Sequence, residues 1–161
     1  MITTKNASMV DMDFPNDSFD LIWSEGAIYI MGFRKGLEYW KRLLKPGGAI
    51  AVTEVSWLTF DPPEEILKFW SEEYPAITTI DENLSVIGDL GYSVIDHFTL
   101  PESAWYQYYR PVEKRVAELR EKYIGNNEAL EVLDATQVEI DLYRKYSDTY
   151  GYVFYILRKS L

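Results

Sequence analysis

The 161-residue chain contains no cysteine and a single histidine, His97. Without cysteine, disulfides, thiolate-bound metals and a cysteine nucleophile are all excluded. A site built from several histidines is excluded as well, so no metal site is predicted. Basic residues are also few: 16 Lys and Arg stand against 26 Asp and Glu, which gives a net charge of −10. Because nucleic-acid binding needs a basic surface, a general nucleic-acid binder is excluded.

Long apolar runs and sorting signals are missing too. The longest apolar runs, such as Ala49–Val52, are far too short to cross a bilayer. The first 20 residues do not contain the apolar core of a signal peptide. These absences predict a cytoplasmic protein that does not act on membranes. The length suits one domain, which would bury roughly 70% of its unfolded surface.

Aromatic residues, in contrast, are abundant. They make up 16% of the chain, with 13 Tyr, 7 Phe and 5 Trp. Such large, rigid and amphipathic side chains can build a core, a pocket or an interface. Composition alone leaves these three uses open.

The first 57 residues predict alternating strands and helices. Residues 2–9 could form a weak strand, and the apolar run 19–23, bounded by turn residues, predicts a buried strand. Apolar residues at helical spacing follow from 33 to 44, and the Lys-Pro-Gly-Gly sequence at 45–48 ends that helix. Residues 49–55 predict a second buried strand. This order predicts a right-handed βαβ unit, with a parallel sheet that is buried on both faces.

The remaining residues predict charged helices and two further strands. Helices are predicted from Asp61, from a cap at Asp81 to Gly91, and over 111–123 and 127–146. Strands are predicted at 92–100 and 150–158. The chain is therefore predicted to be a single domain, 1–161, with a parallel-sheet core in 1–57 and a helical segment plus final strands in 58–161.

Ligands of open α/β sheets bind beyond the carboxyl ends of the strands. Applied to the predicted strands, that rule selects three loops, which are residues 8–13, 23–32 and 54–60. Their polar and aromatic side chains are the first candidates for a site.

The strands that lead into the loops 23–32 and 54–60 lie in two recognisable stretches of sequence. Residues 13–29 read DFPNDSFDLIWSEGAIY and residues 43–54 read LLKPGGAIAVTE. Together they resemble class I S-adenosylmethionine-dependent methyltransferases, and more narrowly the small-molecule group that includes ubiquinone and menaquinone biosynthesis methyltransferases. The resemblance implies a Rossmann-like α/β sheet with closing antiparallel strands and extra C-terminal helices. It also implies S-adenosylmethionine as cofactor and a small-molecule acceptor.

The chain departs from that family at one motif. Those enzymes begin with a strand and a Gly-rich loop, of the E/D-x-G-x-G-x-G kind, that wraps the methionine part of the cofactor. Here there is no G-x-G, and Gly47-Gly48 is a turn before a strand. The resemblance thus implies a sheet truncated at its N-terminus by roughly 60 residues or more, judged by the size of a βαβ unit. Such a C-terminal portion is expected to bind the cofactor weakly or not at all and to be inactive alone.

The resemblance also assigns residues to the site. Glu25 and Glu54 are the candidate catalytic carboxylates, and either could take a proton from the acceptor. Cofactor contacts are expected from Ser8, Met9, Trp23 and Ser24. The acceptor pocket is expected to be lined by Tyr29, Ser56, Trp57, Trp105 and Tyr109, with Tyr106 in the same aromatic run.

Several of these assignments have a structural alternative. Trp23 could be core, Glu25 could belong to a turn or a helix cap, and the aromatic run 105–109 could serve packing or an interface. Glu54 lies in an apolar strand, where an unpaired carboxylate is costly, so it needs a hydrogen bond or a site role. His97 lies in an alternating strand and is expected to be a structural imidazole.

A non-catalytic function is the second hypothesis. A sheet that begins at Ile2 would expose a strand edge and an apolar face. Self-association into a homo-oligomer would cover both, and the aromatic residues fit such an interface as well as they fit a pocket. A dimerising remnant or interaction module of the methyltransferase fold is therefore the alternative to an enzyme.

Overall fold

The computed structural model describes residues 2–160, which form two compact units. The first unit takes in residues up to 56, residues 76–99 and residues from 152 onward, and the second takes in residues 57–75 and 100–151. The elements in chain order are β1 (Phe19–Ser24), α1 (Phe33–Lys41), β2 (Leu44–Trp57), α2 (Glu64–Glu73), β3 (Thr78–Thr79), α3 (Ile80–Asp89), β4 (Tyr92–Thr99), α4 (Glu102–Lys122), α5 (Asn127–Tyr146) and β5 (Tyr150–Lys159).

The strands form one sheet in the order β1-β2-β5-β4, and the two-residue β3 pairs with β2 beside this path. β1 and β2 run parallel, with Ser24 opposite Val52. β4 and β5 run antiparallel, with His97 opposite Tyr155. The predicted α/β class, in which a parallel pair is followed by closing antiparallel strands, is confirmed.

The Lys-Pro-Gly-Gly sequence was expected to form a turn before the second strand. The structure places it inside β2 instead. It forms a bulge between the pairing of Leu44 with Phe19 and the next pairs of the ladder. Gly48 makes the bulge possible, because a Cβ there would lie 3.0 Å from the carbonyl oxygen of Lys45 and 3.2 Å from that of Asp20. Any larger residue would push the two strands apart at this point.

β1 is a strand as predicted, but the prediction that it is buried on both faces is wrong. The side chains of Leu21 and Trp23 are 50% and 62% exposed. The reason is position, since β1 is at the edge of the sheet whereas β2 lies inside it. β2 is correspondingly buried from Ile50 to Trp57, as predicted.

Three local predictions need correction. Residues 2–9 form no strand, and the described chain before Phe19 contains only an isolated bridge between Ser8 and Asp11. α3 is capped by Thr79 and not by Asp81, because the Thr79 hydroxyl accepts the Glu82 amide at 3.2 Å in a capping box.

The third correction concerns α4, which begins at Glu102 and contains Pro111 in its interior. The predicted helix began at Pro111, nine residues too late. The aromatic residues before it nevertheless continue the helix, since Trp105 and Tyr109 stand one turn apart and are both buried. None of the helices in residues 2–160 is long and apolar enough to cross a membrane.

Candidate functional site

After the carboxyl end of β1, the chain makes a tight turn that contacts a buried hydroxyl group of β2. Gly26 follows β1 with φ +57°, a left-handed conformation that favours glycine. Its amide donates to Thr53 Oγ1 at 2.8 Å, and Thr53 is only 2% exposed. A Cβ on Gly26 would lie 3.8 Å from the Tyr152 hydroxyl. Residues from β1, β2 and β5 therefore meet at this turn.

Trp23 and Glu25 interact within the same turn. The indole Nε1–H of Trp23 donates to Glu25 Oε1 at 2.5 Å, and its ring meets Phe154 edge-on with centroids 5.4 Å apart. Because Trp23 is 62% exposed, it is not the core residue that the structural alternative suggested. Glu25 is exposed as well, and Ser24 beside it is half-buried. An accessible aromatic face next to a carboxylate can attract a cationic group.

Ser8 and Met9 lie in the irregular segment before β1. The Ser8 carbonyl accepts the Asp11 amide at 3.1 Å, and this turn is exposed. Met12, further along the segment, is held by two side chains at the end of α1. The Tyr39 hydroxyl accepts the Met12 amide at 2.9 Å, and Arg42 Nη2, directly after the helix, donates to the Met12 carbonyl at 3.0 Å. Thus the loop predicted to meet the cofactor is tied to the helix between the two parallel strands.

Glu54 and Ser56 lie on the opposite face of β2 from Thr53, because side chains alternate along a strand. Ser56 Oγ is 3.2 Å from the Tyr155 hydroxyl, and the Asn83 amide donates to Ser56 Oγ at 3.1 Å and to the Tyr155 hydroxyl at 3.3 Å. All four residues are essentially inaccessible to solvent. Hereafter we call Ser56, Asn83 and Tyr155 the buried polar network. Glu54 lies beside it, and its backbone carbonyl accepts the Ser56 hydroxyl at 3.4 Å.

The pKa of Tyr155 reflects its position in this buried network. Burial raises the pKa of Tyr155, and the nearby Glu54 charge acts in the same direction, while the hydrogen bonds from Ser56 and Asn83 oppose it. His97 stacks on the Tyr155 ring with centroids 6.3 Å apart. The network therefore holds a neutral phenol. His97 is exposed, and its structural role stays a prediction.

Tyr29 lies on a single 3-10 turn, Ile28–Ile30, after the Gly26 turn, and is 48% exposed. It belongs to the first unit, whereas the other predicted aromatic residues of the acceptor pocket belong to the second. Whether Tyr29 contacts an acceptor stays a prediction.

In the second unit, aromatic residues gather in one place. We call this set the aromatic cluster; its members are Trp57, Trp70, Trp105, Tyr109, Tyr143 and Tyr150. Trp105 stacks on Tyr143 with centroids 4.3 Å apart, and the Tyr109 hydroxyl donates to Glu139 Oε1 at 2.9 Å. Trp57 and Trp105 are each 8% exposed and Tyr109 is 4% exposed. These three predicted pocket residues thus pack against other rings, and a role toward an acceptor stays a prediction.

A groove of about 370 Å³ lies elsewhere in the second unit, along α4 and α5, and includes Val112, Val116 and Leu133. None of the predicted site residues lines it. Within residues 2–160, no three His, Cys, Asp or Glu side chains are grouped so that they could hold a metal ion.

Sequence reasoning missed three residues that the structure brings to the predicted ones. Thr53 could have been found, because it is a polar residue directly before Glu54 in a strand that is otherwise mostly apolar. Asn83 and Tyr155 carry no such signal, since they meet only through contacts between residues 72 positions apart.

The chain is similar to one protein family and to many solved structures. The family described as "Methyltransferase domain" matches residues 2–52. Curated proteins yield no match. Solved structures yield many, among them the S-adenosylmethionine-dependent methyltransferase of Geobacter sulfurreducens in complex with S-adenosyl-L-homocysteine, which is 24% identical with a TM-score of 0.71.

Two further structures show the same likeness. YjhP of E. coli is 23% identical with a TM-score of 0.73, and phosphoethanolamine N-methyltransferase 2 of Haemonchus contortus, in complex with S-adenosyl-L-methionine, is 17% identical with a TM-score of 0.72. The alignments cover 88% of this chain for the Geobacter and E. coli proteins and 96% for the Haemonchus protein. They cover only 58%, 59% and 36% of those chains, respectively. The chain therefore has the Rossmann-like fold found in S-adenosylmethionine-dependent methyltransferases, and its residues 2–52 match the methyltransferase domain family.

Proposed function

We propose that this chain is the acceptor-side, C-terminal portion of an S-adenosylmethionine-dependent methyltransferase that acts on a small molecule. The observation that carries the proposal is the Trp23–Glu25 pair at the carboxyl end of a parallel strand, inside the segment that matches the methyltransferase domain. Carboxyl ends of parallel strands are where α/β sheets bind ligands. Proteins that share the fold have been solved in complex with S-adenosylmethionine or S-adenosylhomocysteine, among them the Haemonchus and Geobacter proteins.

The residues at this turn fit the chemistry of that cofactor. The exposed indole face of Trp23 and the exposed carboxylate of Glu25 both attract positive charge, and the cofactor carries a sulfonium and an ammonium group. Trp23 and Ser24 would hold the methionine part, and Ser8 and Met9 would meet the adenine. When bound, S-adenosylmethionine supplies a methyl group that is already activated.

The protein's own residues then have modest tasks. Trp23, Ser24 and Tyr29 would orient the cofactor and the acceptor and keep water away from them. Glu25 is the accessible carboxylate and is the better proton acceptor of the two candidates. Glu54, which is 2% exposed, would act through the buried polar network and not by direct contact with solvent. Methyltransferases of similar structure are named for acceptors as different as phosphoethanolamine and geranyl diphosphate. The acceptor of this chain is therefore proposed only as a small molecule.

Binding of S-adenosylhomocysteine tests this proposal directly. Because the 161 residues contain no G-x-G loop, we expect a weak dissociation constant, on the order of 1 mM. Titration of the ¹⁵N-labelled chain should shift the amide signals of Ser24 and Glu25 and the indole signal of Trp23, with smaller shifts at Ser8 and Met9. Signals of the α4–α5 groove, such as Val112 and Leu133, serve as the internal control. No shift at the Trp23–Glu25 turn in saturating ligand would contradict the proposal.

A specific feature also favours the second candidate, a self-associating module. Within residues 2–160, β1 is the edge strand of the sheet, and Leu21 and Trp23 on it are half or more exposed. A second copy of the chain that pairs its own β1 in antiparallel orientation would continue the sheet and bring the Leu21 and Trp23 side chains of the two copies together on one face.

The oligomeric state distinguishes this candidate. If β1 pairs with a second copy, sedimentation at micromolar concentration should show a dimer. Leu21→Lys should convert it to a monomer, because the pairing would bring the two lysines of the two copies close together on one face of the sheet. Val132→Lys is the matched control, since Val132 is 66% exposed on α5 and should leave the dimer intact. A wild-type chain that sediments as a clean monomer would rule the module out.

A further inference from the structure

We propose that Thr53 is a positioning residue of the candidate site. Its buried hydroxyl fixes the turn from Trp23 to Gly26 and thereby aims the Glu25 carboxylate. This inference rests on the proposed function, because it assigns a task to a residue beside the same turn. It concerns a side chain that contacts neither cofactor nor acceptor in the proposal.

The position of Thr53 relative to the strand ladder supports this role. The parallel pairing of β1 with β2 extends to Ser24, which lies opposite Val52. Beyond Ser24 the chain leaves the ladder, and Thr53 is the residue of β2 one step further along. Its hydroxyl accepts the Gly26 amide at 2.8 Å. A side chain of β2 thus continues the strand-to-strand contact where the backbone pairing stops.

The geometry of Thr53 makes it a rigid anchor. It is 2% exposed and lies in a strand that is inside the sheet. Gly26 is committed to a left-handed φ of +57°, which fixes the path of the chain at the other side of the hydrogen bond.

Two contacts therefore hold the exposed residues of this turn. On one side the Trp23 indole donates to Glu25 Oε1 at 2.5 Å, and on the other side the Gly26 amide is tied to Thr53. Glu25 lies between them in sequence. Without the Thr53 contact, the position of the Glu25 carboxylate would depend on the Trp23 indole, a side chain that is itself 62% exposed, and the carboxylate would sample more directions.

Two variants of Thr53 isolate the hydroxyl. Thr53→Val keeps the branched shape and removes the acceptor, whereas Thr53→Ser keeps the acceptor. For Thr53→Val we expect amide hydrogen exchange at Gly26 to accelerate about tenfold and the affinity for S-adenosylhomocysteine to fall about fivefold, as the loss of one hydrogen bond would give. For Thr53→Ser we expect both to stay within about twofold of the wild-type values. The melting temperature of each variant shows whether the fold is retained.

The outcomes separate this inference from the proposed function. Unchanged exchange at Gly26 in Thr53→Val would overturn the anchoring role, whatever the ligand does. Faster exchange with unchanged ligand affinity would overturn the positioning role, because the turn would then be loosened without consequence. Equal losses in Thr53→Ser and Thr53→Val would also overturn it, since the hydroxyl would not be the cause. A wild-type chain that gives no ligand response contradicts the proposed function, and the exchange measurement still decides whether Thr53 holds the turn.

Discussion

Replacing Tyr143 with alanine should destabilise the protein by about 3–5 kcal/mol, the cost of removing a large buried aromatic side chain. Tyr143 is 2% exposed on α5 and stacks on Trp105 with centroids 4.3 Å apart. Its ring also lies 5.4 Å from Tyr109 and 5.8 Å from Tyr150. Because whole domains are stable by only about 5–15 kcal/mol, this one change removes a large share of the stability.

Urea unfolding followed by circular dichroism measures this effect. Tyr143→Phe is the first control: it keeps the ring contacts and should cost less than about 1.5 kcal/mol. Tyr108→Ala is the second, because Tyr108 is 62% exposed although its ring is 5.3 Å from Tyr109, and the expected change is within about 1 kcal/mol. A Tyr143→Ala variant as stable as Tyr108→Ala would mean that the aromatic cluster is loosely packed. An open cluster would in turn favour the acceptor-pocket prediction for Trp105 and Tyr109.

Local sequence signals correctly predicted a helix whose end is marked by a capping residue. α5 was predicted over 127–146 and is found there, with the Asn126 side chain accepting the Ala129 amide at 3.1 Å. α4 was predicted too short, over 111–123, whereas it begins at Glu102. The burial of Trp105 and Tyr109 extends the helix at its N-terminal end, and that burial depends on α5. Tertiary packing, which is absent from a local pattern, decided the boundary.

Burial was harder to predict than secondary structure. The apolar sequence of β1 has the appearance of a strand covered on both faces, yet Leu21 and Trp23 are exposed because β1 forms an edge. Strand order is set by long-range pairing, and one apolar strand of five residues does not reveal its neighbours. β2 has a similar composition and lies inside the sheet, where the same prediction was right.

The candidate site shows the same division. Trp23 and Glu25 could be chosen from sequence, because they follow a strand within a stretch that resembles a known family. Thr53, Asn83 and Tyr155 reach their partners only through the fold, as the 27-residue separation of Gly26 from Thr53 illustrates. Glu54 was expected to need a hydrogen bond or a site role, and this stays a prediction. The structure buries Glu54 near the Tyr155 phenol, where its charge helps to raise the pKa of that group.

At alkaline pH, we expect the protein to unfold cooperatively above about pH 10, the pKa of an unperturbed tyrosine. Burial raises the pKa of five buried tyrosines above that value; they are Tyr92, Tyr109, Tyr143, Tyr150 and Tyr155. A raised pKa in the folded state means that folding favours the neutral phenol. The contribution is fully present below pH 10 and is lost as the pH rises toward the folded-state values, because the unfolded chain then loses protons that the folded chain keeps.

The expected slope is steep. Each buried phenol that ionises only on unfolding lowers the free energy of unfolding by about 1.4 kcal/mol per pH unit, so five together give about 7 kcal/mol per unit if unfolding releases all of them. Absorbance at 295 nm should therefore rise in two stages, first from accessible tyrosines and then, together with the loss of circular dichroism, from the buried set. With no cysteine in the chain, alkaline thiol or disulfide chemistry does not complicate the titration.

Tyr150→Phe provides the matched control for this titration. The Tyr150 hydroxyl is buried and has no hydrogen-bond partner among residues 2–160, so its removal should leave stability at pH 7 unchanged or slightly higher. Above pH 10 the variant has one fewer buried proton to lose, and its pH slope should fall by about one fifth. Tyr92→Phe differs in that the Tyr92 hydroxyl donates to the Leu37 carbonyl at 2.9 Å, so the same gain at high pH should come with a loss of about 1 kcal/mol at pH 7. If all the tyrosines ionised near pH 10 while the circular dichroism stayed native, the phenols would have to be reachable by solvent in the folded chain, and the burial that raises their pKa would be refuted.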